Sequence, residues 1–446
     1  MNTTDLSAPF EALNIADGIE RLNTLKPEAA AAVLMALPAQ RAIDMLDRPE
    51  LQHAARIVQA LADEDAATLL DGVGDDRAAD IFLELDEATR LRLSGHLNAA
   101  TRAAIQTLMR YPPRTAGSLM TTEFVSVPAD WTIGETLAHV RRVERSRETV
   151  YAIYVLEPRS HALLRMVTLR RLISGDPQQP ILDVAQDTPP VTATALLDQE
   201  EVARLIRRHD LLAIPVVDGG GKILGIVTVD DILDTMIAEG TEDAHKFGGL
   251  SALDKPYMQL GFGRMIQKRG GWLCLLFMGE MLTASAMQHY EVELAKAMVL
   301  TLFIPLIMSS GGNSGSQATS LIIRGLALRE VRLRDWWRVA LRELPTGLIL
   351  GTLLGVIAIV RIATWQLAGF YDYGPHWLLV AATVAAALVA IVTFGSLSGS
   401  MLPFVLQRLG LDPASASAPF VATLVDVTGL VIYFSIAAVI LGGTML

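Results

Sequence analysis

The sequence predicts a multidomain protein with a soluble acidic first half and a second half that crosses a bilayer. Hydrophobic residues make up 51% of the 446 residues, which is high for a soluble chain. Residues 1–250 hold 38 Asp and Glu against 24 Lys and Arg, whereas residues 251–446 hold 10 against 13. Within the first half, a strand and helix pattern occurs twice at a period of about 60 residues.

These observations predict four kinds of structure in order along the chain: an all-α superhelical domain, an α/β tandem pair, an amphipathic connecting helix and five transmembrane helices. The expected domain bounds are 1–111, 112–177, 178–238, 239–269 and 270–446.

The amino-terminal part is rich in Ala and Leu, with apolar residues at helical spacing, as at Ile81, Phe82 and Leu85. Acidic phrases such as Asp63 to Asp65 and Asp75 to Asp76 are typical of helix starts, because carboxylates favour the positive end of the helix dipole. Several short helices stacked as a superhelix are expected here.

The tandem pair resembles two CBS domains, over about residues 114–237. In the second copy, the pattern from Gly225 to Asp231 resembles the nucleotide-contact pattern of that family, in which Thr228 and Asp231 would contact an adenosine nucleotide such as ATP. The first copy has Arg165 and Arg171 in place of the Gly and the second Asp. A nucleotide would therefore bind at the second copy, and a purely structural role for the pair is equally open.

The connector mixes Tyr257, Leu260 and Ile266 with basic residues such as Arg264 and Lys268. This pattern predicts a helix at the membrane surface just before the first crossing.

Five segments approach or exceed the roughly 20 apolar residues that a crossing needs. They are residues 271–288, 297–323, 341–363, 377–405 and 418–442. The loop after the second segment carries six arginines between Arg324 and Arg342 and is therefore expected in the cytoplasm. Residues 1–270 are then cytoplasmic and the carboxyl terminus lies outside a plasma or inner membrane.

Two acids lie inside predicted crossings, Asp426 and Glu280. A carboxylate at the centre of a spanning helix costs roughly 2.5 to 3.5 kcal/mol, so it usually has a function. Asp426 either binds a cation or joins two helices through a hydrogen bond. Glu280 has the same two interpretations, as part of the cation path or as a neutral group bonded to a neighbouring helix.

Small, helix-weakening residues from Ser309 to Gln317 interrupt the second crossing. Non-helical backbone there could offer carbonyls to an ion, as broken helices of transporters do. Tight helix packing through small residues is the alternative.

The composition excludes several classes of function. The acidic balance argues against nucleic acid as a partner, and the single Cys274 excludes an intrachain disulfide and a thiolate metal cluster. No Ser/His/Asp set, cysteine nucleophile or phosphate loop indicates an enzyme. Carboxylate, amide and backbone oxygens suit a hard divalent cation such as Mg²⁺, which keeps several of its waters.

Several motifs in the membrane half, together with the domain order, resemble the MgtE family of magnesium transporters. These motifs are Gly311 to Gln317, Ile323 to Ala327, Arg342 to Gly347, Leu402 to Phe404, Leu411 to Ala414 and Thr423 to Gly429. The resemblance implies a homodimeric Mg²⁺-selective channel for magnesium uptake. In it, Asp426 of both subunits holds a hydrated ion, with Asn313 and Gly312 nearby.

The resemblance also implies a sensor, in which cytoplasmic Mg²⁺ draws acidic faces together and the connecting helices close the pore. The acidic half would repel itself until divalent ions bridge its carboxylates. The candidate ligands are acids near the connector and acids on the amino-terminal helices. They are Asp230, Asp231, Asp234, Glu242, Asp243, Asp75, Asp76 and Asp80.

Two other functions remain open from the residues. One is a transporter of broader divalent range that also takes Co²⁺, and the other is a nucleotide-sensing membrane protein that transports nothing.

Overall fold

A computed structural model describes residues 10, 12–144, 147–253, 257, 260–291 and 297–444. The chain divides into two units, Met1–Ile237 and Ala238–Leu446. The division falls one residue from the predicted end of the second CBS copy. Each unit is described by itself.

The first unit begins with a stack of short helices. Their bounds are α1 Ile15–Leu22, α2 Pro27–Ala36, α3 Ala39–Leu46, α4 Ala54–Gln59, α5 Asp63–Leu70, α6 Asp75–Glu84, α7 Glu87–Ser94 and α8 Ala99–Leu108. Each helix from α1 to α6 packs against the helix two positions further along, which confirms the predicted superhelix. The acidic phrases start helices as expected, because Asp63 and Asp75 open α5 and α6.

The α/β repeat forms two three-stranded sheets. The first copy contains α9 Ala116–Leu119, β1 Val125–Pro128, α10 Ile133–Val143, β2 Ala152–Leu156, β3 Leu163–Thr168 and α11 Leu169–Ser174. The second contains β4 Ala193–Thr194, α12 Gln199–His209, β5 Ala213–Val217, β6 Ile223–Thr228 and α13 Val229–Phe247. In both sheets the middle strand pairs parallel with the strand before it and antiparallel with the strand after it. The repeat is thus one topology used twice.

The connector differs from the single helix predicted over residues 239–269. Helix α13 runs ten residues beyond the unit boundary to Phe247, and the chain then turns at Gly248 and Gly249, where Gly249 has φ +71°. A left-handed backbone at Gly249 cannot continue a helix. Lys255 of the predicted connector lies outside the described residues.

Among the described residues of the second unit, five helices are long and apolar enough to cross a membrane. They are α14 Phe262–His289, α15 Ile304–Ala327, α16 Trp336–Leu367, α17 Trp377–Arg408 and α18 Ala418–Leu441. Helix α14 begins at Phe262 and carries the last predicted connector residues without interruption into the first crossing. Helix α17 packs against α15, α16 and α18, whereas α14 packs against α18.

Candidate ion pathway and acidic cluster

Asp426 lies in the middle of α18. Ser417 caps this helix by accepting a hydrogen bond from the Phe420 amide at 3.3 Å, and it also accepts one from Trp272 Nε1 of α14 at 3.1 Å. At 1.5 Å per residue, Asp426 is about 12 Å beyond the helix start. Its side chain is half-buried within the unit, so it remains open to an ion or to a second chain.

The stretch Gly311 to Gln317 is helical throughout, so the prediction of a broken crossing was wrong. The alternative interpretation, tight helix packing through small residues, describes this stretch instead. A Cβ on Gly395 would clash with the Gly311 carbonyl, and a Cβ on Gly399 would clash with the Gly315 carbonyl. Glycines at this spacing let α15 and α17 approach backbone to backbone. Because the stretch is helical, the carbonyls of its glycines belong to the helical hydrogen-bond pattern.

Helices α15 and α18 are antiparallel and in close contact. A Cβ on Gly312 would lie 3.4 Å from the Ala422 Cβ, and a Cβ on Gly311 would lie 2.8 Å from Val425 Cγ1. Asp426 is one helical turn beyond Ala422, on the same face. The register therefore places Asp426 at the level of the first turns of the small-residue stretch, within about one helical turn of Gly312.

One face of α15 is polar and exposed at membrane depth. Ser309, Asn313 and Gln317 follow each other at four-residue spacing and are exposed within this unit. Asn313 Nδ2 donates to Ser309 Oγ at 3.5 Å, and Ser316 Oγ donates to the Ala418 carbonyl of α18 at 3.3 Å. Because lipid cannot satisfy amides and hydroxyls, this face requires water or protein beside it.

Glu280 lies beside Asp426. A Cβ on Gly279 would lie 2.9 Å from Thr423 Cγ2, and the Glu280 carboxylate interacts electrostatically with Asp426. Glu280 is exposed and makes no hydrogen bond to the described residues. The structure therefore brings the two intramembrane acids together. This arrangement suits a cation path better than a neutral carboxyl group hydrogen-bonded to a neighbouring helix.

Sequence reasoning missed a polar chain behind the pathway. Glu343 of α16 accepts a hydrogen bond from Ser396 of α17, whose hydroxyl lies 2.9 Å from that of Ser314 on α15. The signal was the same one that marked Asp426, an acid inside an apolar segment. This row of polar side chains fixes the rotation of α15 about its axis next to Asn313.

In the first unit, four of the predicted sensor acids share one surface with acids that were not predicted. The predicted members are Asp75, Asp76, Asp230 and Asp231, and the added members are Asp47, Glu123 and Glu148. We call these seven residues the acidic cluster. They come from the end of α3, from α6, from the loops before β1 and β2 and from α13, so only the fold brings them together.

Carboxylate oxygens of the acidic cluster converge on the start of α6. The Gly74 amide donates to Asp47 Oδ1 at 2.8 Å. A Cβ on Gly74 would lie 2.9 Å from Asp76 Oδ1 and 3.7 Å from Glu148 Oε2. Thr122 Oγ1 also donates to Asp75.

Burial, reinforced by repulsion between neighbouring carboxylates, raises the pKa values of several members of the acidic cluster. Burial raises the pKa of Asp76 well above its usual value, and Asp231 and Glu148 add to the rise. Burial, with repulsion from Asp75 and Glu148, raises the pKa of Glu123 to about 7. Burial, with repulsion led by Asp231, raises the pKa of Glu148 to about 7. These acids need a cation to stay charged at neutral pH.

The remaining predicted sensor residues lie apart. Burial raises the pKa of Asp80 to about 6, and its charged neighbours are Arg77 and Glu84. Asp234 faces Glu50 and Asp230 at the edge of the acidic cluster.

Glu242 and Asp243 belong to the second unit. Lys246 Nζ lies 2.5 Å from both Glu242 Oε1 and Asp412 Oδ2, and Asp412 repels Asp243. The Lys246 ammonium offsets only one of the three negative charges of Glu242, Asp243 and Asp412, and it already pairs with Glu242 and Asp412.

No three acids, histidines or cysteines in the described part of the chain are placed to ligate one metal ion directly. The acidic cluster nevertheless fits a hydrated Mg²⁺, because that ion keeps several waters and reaches carboxylates through them. The oxygen-only donor set also excludes a site built for zinc or copper.

The nucleotide residues predicted in the second copy face the acidic cluster. Thr228 Oγ1 donates to Asp231 Oδ2 at 2.6 Å, and Asp231 lies near other carboxylates that would repel a phosphate. A separate cleft of about 370 Å³ opens between the two copies, with Tyr151, Thr168 and His209 in its lining.

Sequence comparisons match three parts of the chain to known families. Residues 304–436 match the MgtE family of divalent cation transporters, residues 13–114 match the MgtE intracellular N domain, and residues 182–238 match the CBS domain.

Full-length relatives match as well. The chain is 38% identical to the magnesium transporter MgtE of Thermus thermophilus over 443 residues, which cover 99% of this chain and 96% of that one. It is 31% identical to the magnesium transporter MgtE of Bacillus subtilis, covering 88% of this chain and 84% of the relative.

Among solved structures, the cytosolic domain of the Mg²⁺ channel MgtE in complex with ATP is 34% identical. The match covers 51% of this chain and 93% of that one, with a TM-score of 0.49.

Proposed function

Because this chain belongs to the MgtE family of divalent cation transporters, we propose that it is a Mg²⁺-selective channel for magnesium uptake whose pore closes when Mg²⁺ binds its cytoplasmic half. It transports Mg²⁺ across a membrane as a multi-pass protein. The selectivity, the gating and the pore residues are the proposal.

The observation that carries the pore proposal is the polar wall formed by α15 and α18. Ser309, Asn313 and Gln317 are exposed beside the half-buried Asp426, at a depth where lipid would leave them unsatisfied. One carboxylate with neutral oxygens suits a hydrated Mg²⁺, which needs only one or two charged ligands. Gly312 supports the site by allowing α18 to approach.

A single copy of the chain forms only one wall of the proposed pore. The polar wall is open within its own unit, so it requires water or a partner surface beside it. A two-fold axis beside Asp426 would place two carboxylates on one ion, and two-fold dimers are the commonest assemblies. We infer a homodimer with Glu280 of each copy at the edge of the path.

The acidic cluster supplies the proposed gate sensor. Seven carboxylates on one surface repel each other until divalent ions screen them. Asp75 and Asp76 lie on the superhelical domain, whereas Asp230 and Asp231 lie in the first turn of α13, which continues to Phe247 within the second unit. Mg²⁺ between them would restrain α13, and Asp234 would respond at the edge of the cluster.

The cleft between the CBS copies supports a second, modulatory ligand. Its volume of about 370 Å³ lies within the usual range for small-molecule sites. We assign an adenosine nucleotide such as ATP to this cleft, with Tyr151 available to stack on the base, in preference to Thr228 and Asp231.

The proposed topology places residues 1–270 in the cytoplasm and the carboxyl terminus outside. Influx is then passive, because a divalent ion gains about 4.6 kcal/mol for each 100 mV of inward potential.

Flux into proteoliposomes tests the function. Purified full-length protein is reconstituted with a Mg²⁺-sensitive dye inside, and an inward potential is imposed. We expect potential-dependent Mg²⁺ entry that equal Co²⁺ inhibits only weakly. Equal Co²⁺ entry would favour the broader transporter, and no flux together with tight nucleotide binding would favour the sensing protein.

A further inference from the structure

A groove at the Arg-rich end of the membrane unit is unrelated to the ion pathway. It lies between the start of α16 and the end of α17 and has a volume of about 610 Å³. Its lining combines apolar side chains, among them Trp336, Met401, Phe404 and Val405, with two arginines, Arg334 and Arg408.

The apolar part of the groove has a solid floor. Phe404 is 5% exposed and packs with Ile322 and Leu326 of α15, with Met401 against them. Val405 and Trp336 form open walls, at 51% and 53% exposed. Such a groove suits an elongated apolar chain better than water.

The two arginines at the groove are uncommitted. Arg334 and Arg408 are exposed, and neither has an ion pair or hydrogen bond within the residues that the structure describes. By contrast, Arg338 in the same segment pairs with Asp335 at 3.5 Å and stacks over Trp337. Two free guanidinium groups beside an apolar groove suit a ligand with an anionic head group and an apolar tail.

The depth of the groove fixes the source of that ligand. Trp336 and Trp337 are exposed at the start of a crossing, where aromatic residues mark the membrane interface. The arginine-rich loop places this end at the cytoplasmic leaflet, which carries anionic lipid, and basic pockets between membrane helices there bind lipid head groups.

We propose that this groove is a binding site for one anionic phospholipid of the cytoplasmic leaflet. Arg334 and Arg408 bind its phosphate, and one acyl chain lies along Met401, Phe404 and Val405. The lipid joins the start of α16 to the end of α17, two elements that the chain links only through the remote outer loop.

Native mass spectrometry of the full-length protein tests the site. The protein is exchanged into detergent with equal dioleoyl phosphatidylglycerol and dioleoyl phosphatidylcholine, and retained lipids are counted per chain. We expect one phosphatidylglycerol retained preferentially. Arg334→Gln and Arg408→Gln should each lower its occupancy about five-fold, because a basic residue near an anionic surface contributes roughly 1 kcal/mol.

Two controls separate the site from general attraction. Arg332→Gln removes the same charge from the same loop outside the groove and should change occupancy less than two-fold. Val405→Trp fills the groove with both arginines intact and should reduce retention of both lipids, whereas Val439→Trp, on an exposed residue of α18, should not.

Several outcomes overturn the proposal. Unchanged phosphatidylglycerol retention in both groove arginine variants excludes the head-group contact, and an equal loss in Arg332→Gln reduces it to diffuse charge. Disulfide cross-linking of Val405→Cys between two copies in the absence of lipid would show that a second chain occupies the groove.

Discussion

In the membrane unit one central carboxylate, Asp426, lies among neutral oxygens and close-packed glycines with Glu280 beside it, whereas in the first unit seven carboxylates crowd one surface. Both arrangements suit Mg²⁺, but with different consequences for the ion. A site with few charges holds a hydrated cation weakly enough to release it, whereas a crowd of buried acids gains much from each bound ion. The comparison indicates that number of charges, and not ligand type, separates conduction from sensing.

The largest expected effect comes from removing the central carboxylate of the membrane unit, Asp426. Asp426→Asn should lower Mg²⁺ flux at least roughly 100-fold, since the loss of about 3 kcal/mol of ion binding has that effect. Flux into proteoliposomes measures it, with size-exclusion chromatography to show that the assembly persists. Glu330→Gln, in the exposed loop after α15, is the matched control and should conduct as the native chain does. Native flux in Asp426→Asn would remove this residue from the pore.

The crowded site should tolerate the loss of one charge. Glu148→Gln should raise the Mg²⁺ concentration that half-protects the cytoplasmic half from protease about ten-fold, equal to about 1.4 kcal/mol, with transport preserved. Glu144→Gln, an exposed acid four residues earlier, should not shift it. An unchanged midpoint in Glu148→Gln would exclude this residue from the sensor.

The two sites should also differ in pH dependence. The pKa of Glu148 rises from 4.5 to about 7 in the folded chain, so the folded state binds its proton more tightly than the unfolded state. Without Mg²⁺, the contribution of Glu148 to stability should then be greatest below pH 4.5 and be lost as pH rises through 7.

Mg²⁺ competes with these protons. Protease protection by 5 to 10 mM Mg²⁺, roughly saturating for weak divalent sites, should therefore be stronger at pH 8 than at pH 5.5. Equal protection at the two pH values would show that the acidic cluster does not bind the ion.

A smaller effect concerns the glycine contacts that hold the single carboxylate in place. Gly399→Ala would direct a methyl group at the Gly315 carbonyl, and overpacking of this kind costs about 1 to 3 kcal/mol. The thermal midpoint of the detergent-solubilised protein should fall. Gly271→Ala, at an exposed position of α14 with no neighbour near its Cβ, should leave it unchanged or raise it slightly. A larger fall of the thermal midpoint in the α14 variant than in Gly399→Ala would show that these glycines do not govern packing.

The difference between the sites also explains what the sequence could predict. Asp426 and Glu280 were identifiable because a carboxylate inside an apolar segment is costly wherever it occurs. The acidic cluster was only half identifiable, since Asp47, Glu123 and Glu148 look like ordinary surface acids until folding brings them to Gly74. Glu343 carried the Asp426 signal but stood at the edge of its segment.

Element boundaries show the same limit. Hydropathy located all five crossings, and period-two and helical patterns located both copies of the repeat. The stretch from Gly311 to Gln317 suggested a broken helix because glycine weakens an isolated helix. Only the facing glycines of α17 show that the stretch is a helix packed closely against its neighbour. The end of α13 at Phe247 depends on the turn at Gly249, which no periodicity signals.

The measurement that tests this account most directly is flux as a function of Mg²⁺ on the cytoplasmic side, in native protein and in a variant with Asp76→Asn and Glu148→Gln. The account predicts that millimolar cytoplasmic Mg²⁺ suppresses native flux and that the variant conducts equally with and without it. Native flux that is insensitive to cytoplasmic Mg²⁺, or a variant that closes as the native protein does, would contradict it.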